Sequence, residues 1–312
     1  MARSIKFNTS DVFTNTVFTG NQLAILHLPN DLKLSQDEKQ KIAREFNYSE
    51  TVFLHGRQPD APPATYVADI FTTDAEIPFA GHPTIGTASY IFENLEPQRD
   101  EVSIILKAGT VKAKFDRKTA RAAAAIPHDF HNHTTRLSWN SVVASQPGLS
   151  SDHYRDTTVP IASIVKGMTF GLIDLSQKPD LLSNIVIATQ PIGRHQDLDA
   201  PWHEGLIADL FYTHSPDSGD GIIRVQQRMI GIGIEDAATG SASAALSSYL
   251  ALQDGKGGHK YTFELEQGVQ MGRRSIIGCE VTLASDGKTI DSVVLSGQSK
   301  QVMKGELTIP EY

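Results

Sequence analysis

The alternation of apolar and polar positions divides the chain into many short elements joined by turns. The run Val17-Phe18-Thr19-Gly20-Asn21-Gln22-Leu23-Ala24-Ile25-Leu26-His27-Leu28 predicts a turn feeding a strand. Ser35-Gln36-Asp37-Glu38 has capping-box spacing, so a helix is expected from there to about Phe46, with Ile42 and Phe46 on one face. Asn47-Tyr48-Ser49-Glu50-Thr51-Val52-Phe53-Leu54 places a carboxylate at the edge of a β-branched and aromatic strand. A further strand is expected from Tyr66 to Thr72. It leads through Gly81-His82-Pro83-Thr84 into an apolar helix, Thr87-Ala88-Ser89-Tyr90-Ile91-Phe92, with Pro83 suited to the first turn because its missing N–H costs nothing there. Two strands follow, Val102 to Leu106 and Thr110 to Phe115.

From Pro127 to Leu137 the pattern breaks into polar residues and the histidines His128, His131 and His133. An inter-domain linker is expected there. Three close histidines could bind a metal, but no carboxylate or cysteine framework accompanies them, so a solvated linker is the reading adopted.

The second half repeats the first. Phe18 to Leu28 is echoed by Val165 to Leu175, and Val52-Phe53-Leu54-His55 by Phe211-Tyr212-Thr213-His214, with Pro59-Asp60 and Pro216-Asp217 beyond. Gly81-His82-Pro83-Thr84 is echoed by Asp236-Ala237-Ala238-Thr239, and Leu106 to Val111 by Leu265 to Gln270. The offset stays between 147 and 159 residues and the order is unbroken. Two similar domains follow, spanning 1–127 with a return strand at 298–312, and 128–297, each a sheet wrapped around one small-residue helix.

Composition narrows the class. A chain of 312 residues with 40% hydrophobic and 21% charged residues is an ordinary globular protein with room for two cores. A net charge of -8 without a dense basic patch argues against a nucleic-acid partner. No apolar run approaches the roughly 18 residues of a membrane span, and the N-terminus has no secretory pattern, so a cytoplasmic location is expected. Cys279 is the only cysteine, which leaves no intramolecular disulfide and no cysteine metal cage.

The stretch richest in chemistry is Ile234-Glu235-Asp236-Ala237-Ala238-Thr239-Gly240-Ser241-Ala242, before a small-residue helix. A helix start carries a partial positive charge and unpaired N–H groups, so it can hold an anion. The plain alternative is a capped helix start. If the two halves pack as a pseudo-twofold pair, this start and that of Gly81-His82-Pro83-Thr84 would face one inter-domain cleft and form an anion trap.

Taken together, Gly20-Asn21, Asn47-Tyr48-Ser49-Glu50-Thr51, Phe79 to Gly86, Glu235 to Ala242 and Gln267 to Ser275 resemble the PhzF family of phenazine-biosynthesis-like isomerases. The resemblance runs from about residue 6 to about residue 307. It implies an α+β fold of the diaminopimelate-epimerase-like type: two pseudo-symmetric domains, each a curved, mostly antiparallel sheet around a central helix, with the active site between them. It also implies no metal, no cofactor, a small anionic substrate and a homodimer. Carried over position by position, the acid/base carboxylate falls on Glu50. Polar helpers fall on His82, Asp236 and Ser241, and the substrate-binding positions are Gly81, Thr84, Thr239 and Gly240. The implied reaction moves a proton from one carbon to another site on the same face of the substrate.

Independent chemistry supports Glu50, since a carboxyl in a partly apolar cleft gains a raised pKa and can act as both base and acid. Arg228 and Arg273 are expected to support the fold, and Cys279 to be a buried small hydrophobe. Gln22 and Ala237 stand where the family usually has proline, and the segment 228–234 is shortened; these departures bear on the substrate. A two-thiol racemase is excluded because neither helix start holds a cysteine. A dinucleotide site at Gly231-Ile232-Gly233 would need glycine where Asp236 stands. Gly240-Ser241-Ala242 lacks a nucleophile elbow. A one-carboxylate epimerase and a catalytically silent small-molecule binder remain as alternatives.

Overall fold

The Ser35 side chain accepts from the Glu38 N–H while the Glu38 carboxylate accepts from the Ser35 N–H, and the chain turns into a helix at the next residue. Such local signals set most of the elements in the computed structural model, which describes residues 3–57, 60–154, 157–215, 219–231 and 233–309. The chain divides into two compact units, Met1–Ala125 with Leu295–Tyr312, and Ile126–Val294.

The first unit holds β1 (Arg3–Val12), β2 (Asn21–Leu28), α1 (Gln36–Phe46), β3 (Glu50–His55), β4 (Thr65–Phe71), β5 (Glu76–Ile77), α2 (Gly81–Tyr90), β6 (Glu101–Leu106), β7 (Gly109–Asp116) and β8 (Arg121–Ala125). The second holds β9 (His131–Ser138), α3 (Trp139–Ser145), β10 (Thr158–Val165), β11 (Met168–Asp174), β12 (Leu206–Ser215), β13 (Ile222–Ile230), β14 (Glu235–Asp236), α4 (Gly240–Asp254), β15 (Lys260–Gln267) and β16 (Ser275–Leu283). Strand β17 (Ile290–Gly297) crosses the boundary, and β18 (Ser299–Ile309) returns to pair with β1.

The units share one topology. In the first, β2 lies parallel to β3, β3 antiparallel to β4, and β4 antiparallel to β5 but parallel to β6. In the second, β11–β12, β12–β13, β13–β14 and β13–β15 repeat those four relations in the same order. One helix in each unit is enclosed. Every residue of α2 from Gly81 to Ser89 is buried, because small side chains let strands approach on all sides. Gly86 shows how tightly: a Cβ there would lie 2.6 Å from Leu23 Cδ2 and 2.7 Å from Val12 Cγ2. The opposite face of the sheet, through Ala24, Leu26, Phe53 and Phe71, packs on Ile42 and Ala43 of α1. Among the described residues no helix is long and apolar enough to cross a membrane.

The segment expected as a linker is not one. Residues 131–138 form β9, paired antiparallel with β10 inside the second unit, and His133 is only 2% exposed. Its polarity is satisfied from far along the chain. The Asp199 carboxylate accepts from His131 Nε2 at 2.9 Å and from the Thr134 N–H, while the Asp199 N–H donates to His133 Nδ1 at 3.1 Å. That donor forces the proton of His133 onto Nε2, which faces Ser163 Oγ at 2.9 Å. Burial lowers its pKa to about 4, so the ring is neutral. Asp199 supplies the carboxylate missing from the local sequence, and the three groups stand close enough to suggest a metal. Yet both nitrogens of His133 are already committed, and the His131 ring stacks on Trp202 at 4.8 Å. The cluster is a staple between β9 and the loop at 199–202.

Candidate active site

Glu50 is the first residue of β3, where the strand emerges from the loop after α1. Its neighbour across the sheet is Leu23, the residue that also touches Gly86 of α2. This packing sets Glu50 beside the start of α2, where His82 is the second residue and only 4% exposed. His82 Nδ1 lies 3.5 Å from Glu50 Oε2. That carboxylate oxygen is buried and has no hydrogen-bond partner among the described residues. Burial pushes the Glu50 carboxyl up to about 7, against an opposing hydrogen bond from Ser49. Near neutral pH it therefore exists in both protonation states, which is the condition for taking a proton and returning one. Gly81 is the first residue of α2 and buried. Thr84 is buried with its hydroxyl donated to Ala80 O at 2.7 Å, inside its own helix.

The second unit builds a different constellation on the same scaffold. Asp236 ends the short strand β14, held opposite Met229. Thr239 precedes α4 and donates its hydroxyl to Asp236 Oδ2 at 2.6 Å. Gly240 opens the helix, and Ser241 follows, half-buried. The structure thus brings Glu50 to His82, and Asp236 to Thr239, the residue that precedes Gly240 and Ser241. Next to Asp236, Glu235 forms a buried two-toothed ion pair with Arg228, at 2.8 and 2.7 Å, and Arg228 also donates to Leu182 O and Ile185 O. Arg228 is a fold-supporting residue, as expected. Cys279 is buried with its thiol pushed up to about 12, which removes it as a nucleophile.

Strand register shows which positions of the two units correspond. Phe71 pairs with Glu76 and with Thr51, while Ile230 pairs with Glu235 and with Asp209. Thr51 therefore matches Asp209, and Glu50 matches Ala208. The strand echo deduced from sequence was one residue out: Val52 corresponds to Leu210, not Phe211. Pro59, Pro216 and Asp217 of that echo lie outside the described residues. In the helices, Gly81 and Gly240 come first and His82 and Ser241 second, so the true counterpart of Gly81-His82 is Gly240-Ser241. Thr84 and Ser243 each donate to the carbonyl four residues back, Ala80 O and Thr239 O. Glu50 of the first unit thus has an alanine, Ala208, as its counterpart in the second. Sequence reasoning quoted Gln267 within a motif and gave it no role, and overlooked Gln227; both are fully buried polar residues on strands beside Asp236. A polar residue at an inward strand position, where the repeat has an apolar one, was the available signal.

Residues 10–305 match the phenazine biosynthesis-like (PhzC/PhzF) protein family. An uncharacterised isomerase of Mesorhizobium japonicum is 29% identical over 96% of this chain and 97% of its own length. The trans-2,3-dihydro-3-hydroxyanthranilate isomerase of Pseudomonas aeruginosa is 27% identical over 95% of this chain and 96% of its own. The crystal structure of a PhzF-family phenazine biosynthesis protein from Bacillus anthracis superposes with a TM-score of 0.77 at 19% identity, covering 98% of this chain and 100% of that one. The fold is that of PhzF and the diaminopimelate-epimerase-like proteins, an α+β arrangement of large sheets and few helices. With its matched family spanning nearly the whole chain, and named isomerases among its relatives, this protein belongs to the phenazine biosynthesis-like (PhzF) family.

Proposed function

We propose that the protein is an isomerase that relocates a proton on a small carboxylate-bearing metabolite, with Glu50 as its single acid/base and without metal or organic cofactor. The observation that carries this reading is the Glu50 carboxyl: half-buried at the start of β3, 3.5 Å from His82, and titrating at about 7. A carboxyl at its ordinary value would be almost wholly ionised at neutral pH and a poor proton donor. His82, Asp236 and Ser241 serve the same reaction by binding the substrate and stabilising enolate-like charge as the proton leaves carbon. Gly81, Thr239 and Gly240 offer backbone groups at the two helix starts, and Thr84 offers its methyl group, since its hydroxyl is engaged by Ala80 O. Ala208 at the counterpart of Glu50 favours transfer on one substrate face over inversion between two bases.

The substrate of the Pseudomonas aeruginosa relative is the natural probe. Glu50→Gln preserves shape and removes the titrating proton. Turnover of trans-2,3-dihydro-3-hydroxyanthranilate, or of whichever metabolite the wild type converts, is expected to fall by roughly 10²- to 10⁴-fold. The melting temperature at acidic pH, where Glu50 is neutral, should stay close to wild type. Undiminished turnover by the Gln variant would remove Glu50 from the mechanism.

A further inference from the structure

The chemistry of the second unit rests on a pair of buried amides. Gln267, at the end of β15, has all four hydrogen-bonding positions of its amide occupied. Nε2 donates to Asp236 O at 2.8 Å and to Thr239 Oγ1 at 3.0 Å. Oε1 accepts from the Thr239 N–H at 3.1 Å and from Gln227 Nε2 at 2.7 Å. Backbone groups settle the orientation, because the Thr239 N–H needs an acceptor and the Asp236 carbonyl needs a donor. Gln227 must then donate to Gln267, and its second N–H reaches Ser243 Oγ at 2.7 Å. Ser243 in turn donates to Thr239 O at 3.0 Å, which closes the ring around Thr239.

The pattern has a direction. The Thr239 hydroxyl accepts a hydrogen bond from the Gln267 N–H, so its own O–H is turned onto Asp236 Oδ2, at 2.6 Å. The Asp236 side chain is held through Thr239, and its backbone is held by Gln267 directly. Glutamate could not do this, having no N–H to donate, and an apolar side chain could do none of it.

The first unit shows that the fold does not require the pair. By strand register, Ala68 occupies the place of Gln227 and Leu106 that of Gln267. Both are buried. Ile77 stands where Asp236 does, and Ala80 where Thr239 does. The same strands and helix start are thus assembled with apolar side chains alone. The amide pair occurs only in the unit that carries Asp236. It also leaves Gln227 Oε1 buried with no partner among the described residues, a burden that Ala68 avoids.

We infer that Gln267, locked in place by Gln227, is a positioning residue whose task is to aim the Asp236 carboxylate. The inference rests on the proposed participation of Asp236 in the reaction, and it extends the site to two residues that would not touch substrate.

The unit that lacks the pair supplies the test variant. Gln227→Ala with Gln267→Leu copies Ala68 and Leu106 into the second unit. It is expected to fold with a lowered melting temperature, because the Thr239 N–H and the Asp236 carbonyl lose their partner, while a crystal structure shows Asp236 in more than one rotamer above an unmoved α4. Turnover of trans-2,3-dihydro-3-hydroxyanthranilate, or of the metabolite that the wild type converts, should fall in kcat/KM by roughly 10- to 100-fold, the scale of an ångström-level misplacement. In an Asp236→Asn background the same double substitution should change kcat/KM by less than about twofold, because the residues act through Asp236. A second variant, Gln267→Glu, keeps the acceptors, loses the donors, and should show the same release of Asp236. Asp236 remaining in its single rotamer against Thr239 in the crystal structure of the double variant would overturn the inference. Full turnover by a double variant with a lowered melting temperature would overturn it too, reducing the pair to a structural role. Failure of the Glu50 reading is separate, since it is decided by Glu50→Gln alone.

Discussion

Glu50 and Asp209 are both carboxyls that burial holds at about 7, and their surroundings give them different meanings. Glu50 stands beside His82 at a helix start. Asp209 lies within β12, 1% exposed, with the Ile192 N–H as its donor at 3.0 Å. Glu50 was legible in the sequence because its motif and strand edge mark it. Asp209 was not, since an aspartate within an apolar run gives no sign of which face it takes. Both raised values lower stability as pH rises. Unfolding returns Glu50 to about 4.5 and Asp209 to about 3.8, so between those values and about 7 the folded state binds more protons than the unfolded chain. The stability they allow is fully present below the unfolded values and declines through that window. Asp209→Asn keeps an acceptor for the Ile192 N–H and cannot ionise. Measured by urea unfolding, it should gain on the order of 3 kcal/mol over wild type at about pH 8, and most of that gain should vanish at about pH 4. A gain independent of pH would show that Asp209 has the same pKa folded and unfolded, so that burial does not raise it.

At the scale of elements, signals confined to a few residues were readable and those requiring distant partners were not. Helix α1 begins at the capping box, and its first residue and last residue, Gln36 and Phe46, match the expected span. Strand β9 was mistaken for a linker because Asp199, Ser163 and Trp202, which accommodate its histidines, come from other parts of the chain. The repeat was found, but its register was not: the start of α2 was set against Asp236, four residues short of its counterpart Gly240, and Leu106 against Leu265, two short of Gln267. The apolar runs of β3 and β12 can likewise be slid by one position without losing their hydrophobic appearance. Gly86 gives a direct test of the close helix–sheet packing. Gly86→Ala would press a methyl group against Leu23 and Val12, the strands that position Glu50. A loss of about 1–3 kcal/mol in chemical denaturation is expected, with reduced turnover. An unchanged midpoint would mean that α2 and β2 can separate freely.

Over the whole molecule, one scaffold appears twice with complementary equipment. The first unit carries Glu50 and His82 and is otherwise apolar at the positions that matter, with Ala68, Ile77 and Leu106. The second carries Asp236, Gln227 and Gln267, and has Ala208 where the first has Glu50. The family and the two-unit architecture were readable from motifs spread along the sequence; the division of labour was not, because it depends on strand register. The central claim is that Glu50 carries the proton. Incubation of wild type and Glu50→Gln in D2O, with trans-2,3-dihydro-3-hydroxyanthranilate and with fractionated host metabolites, tests it most directly by mass spectrometry. The account predicts an isomerised product bearing one carbon-bound deuterium with the wild type and no labelled product with the variant; equal labelling by both proteins would contradict it.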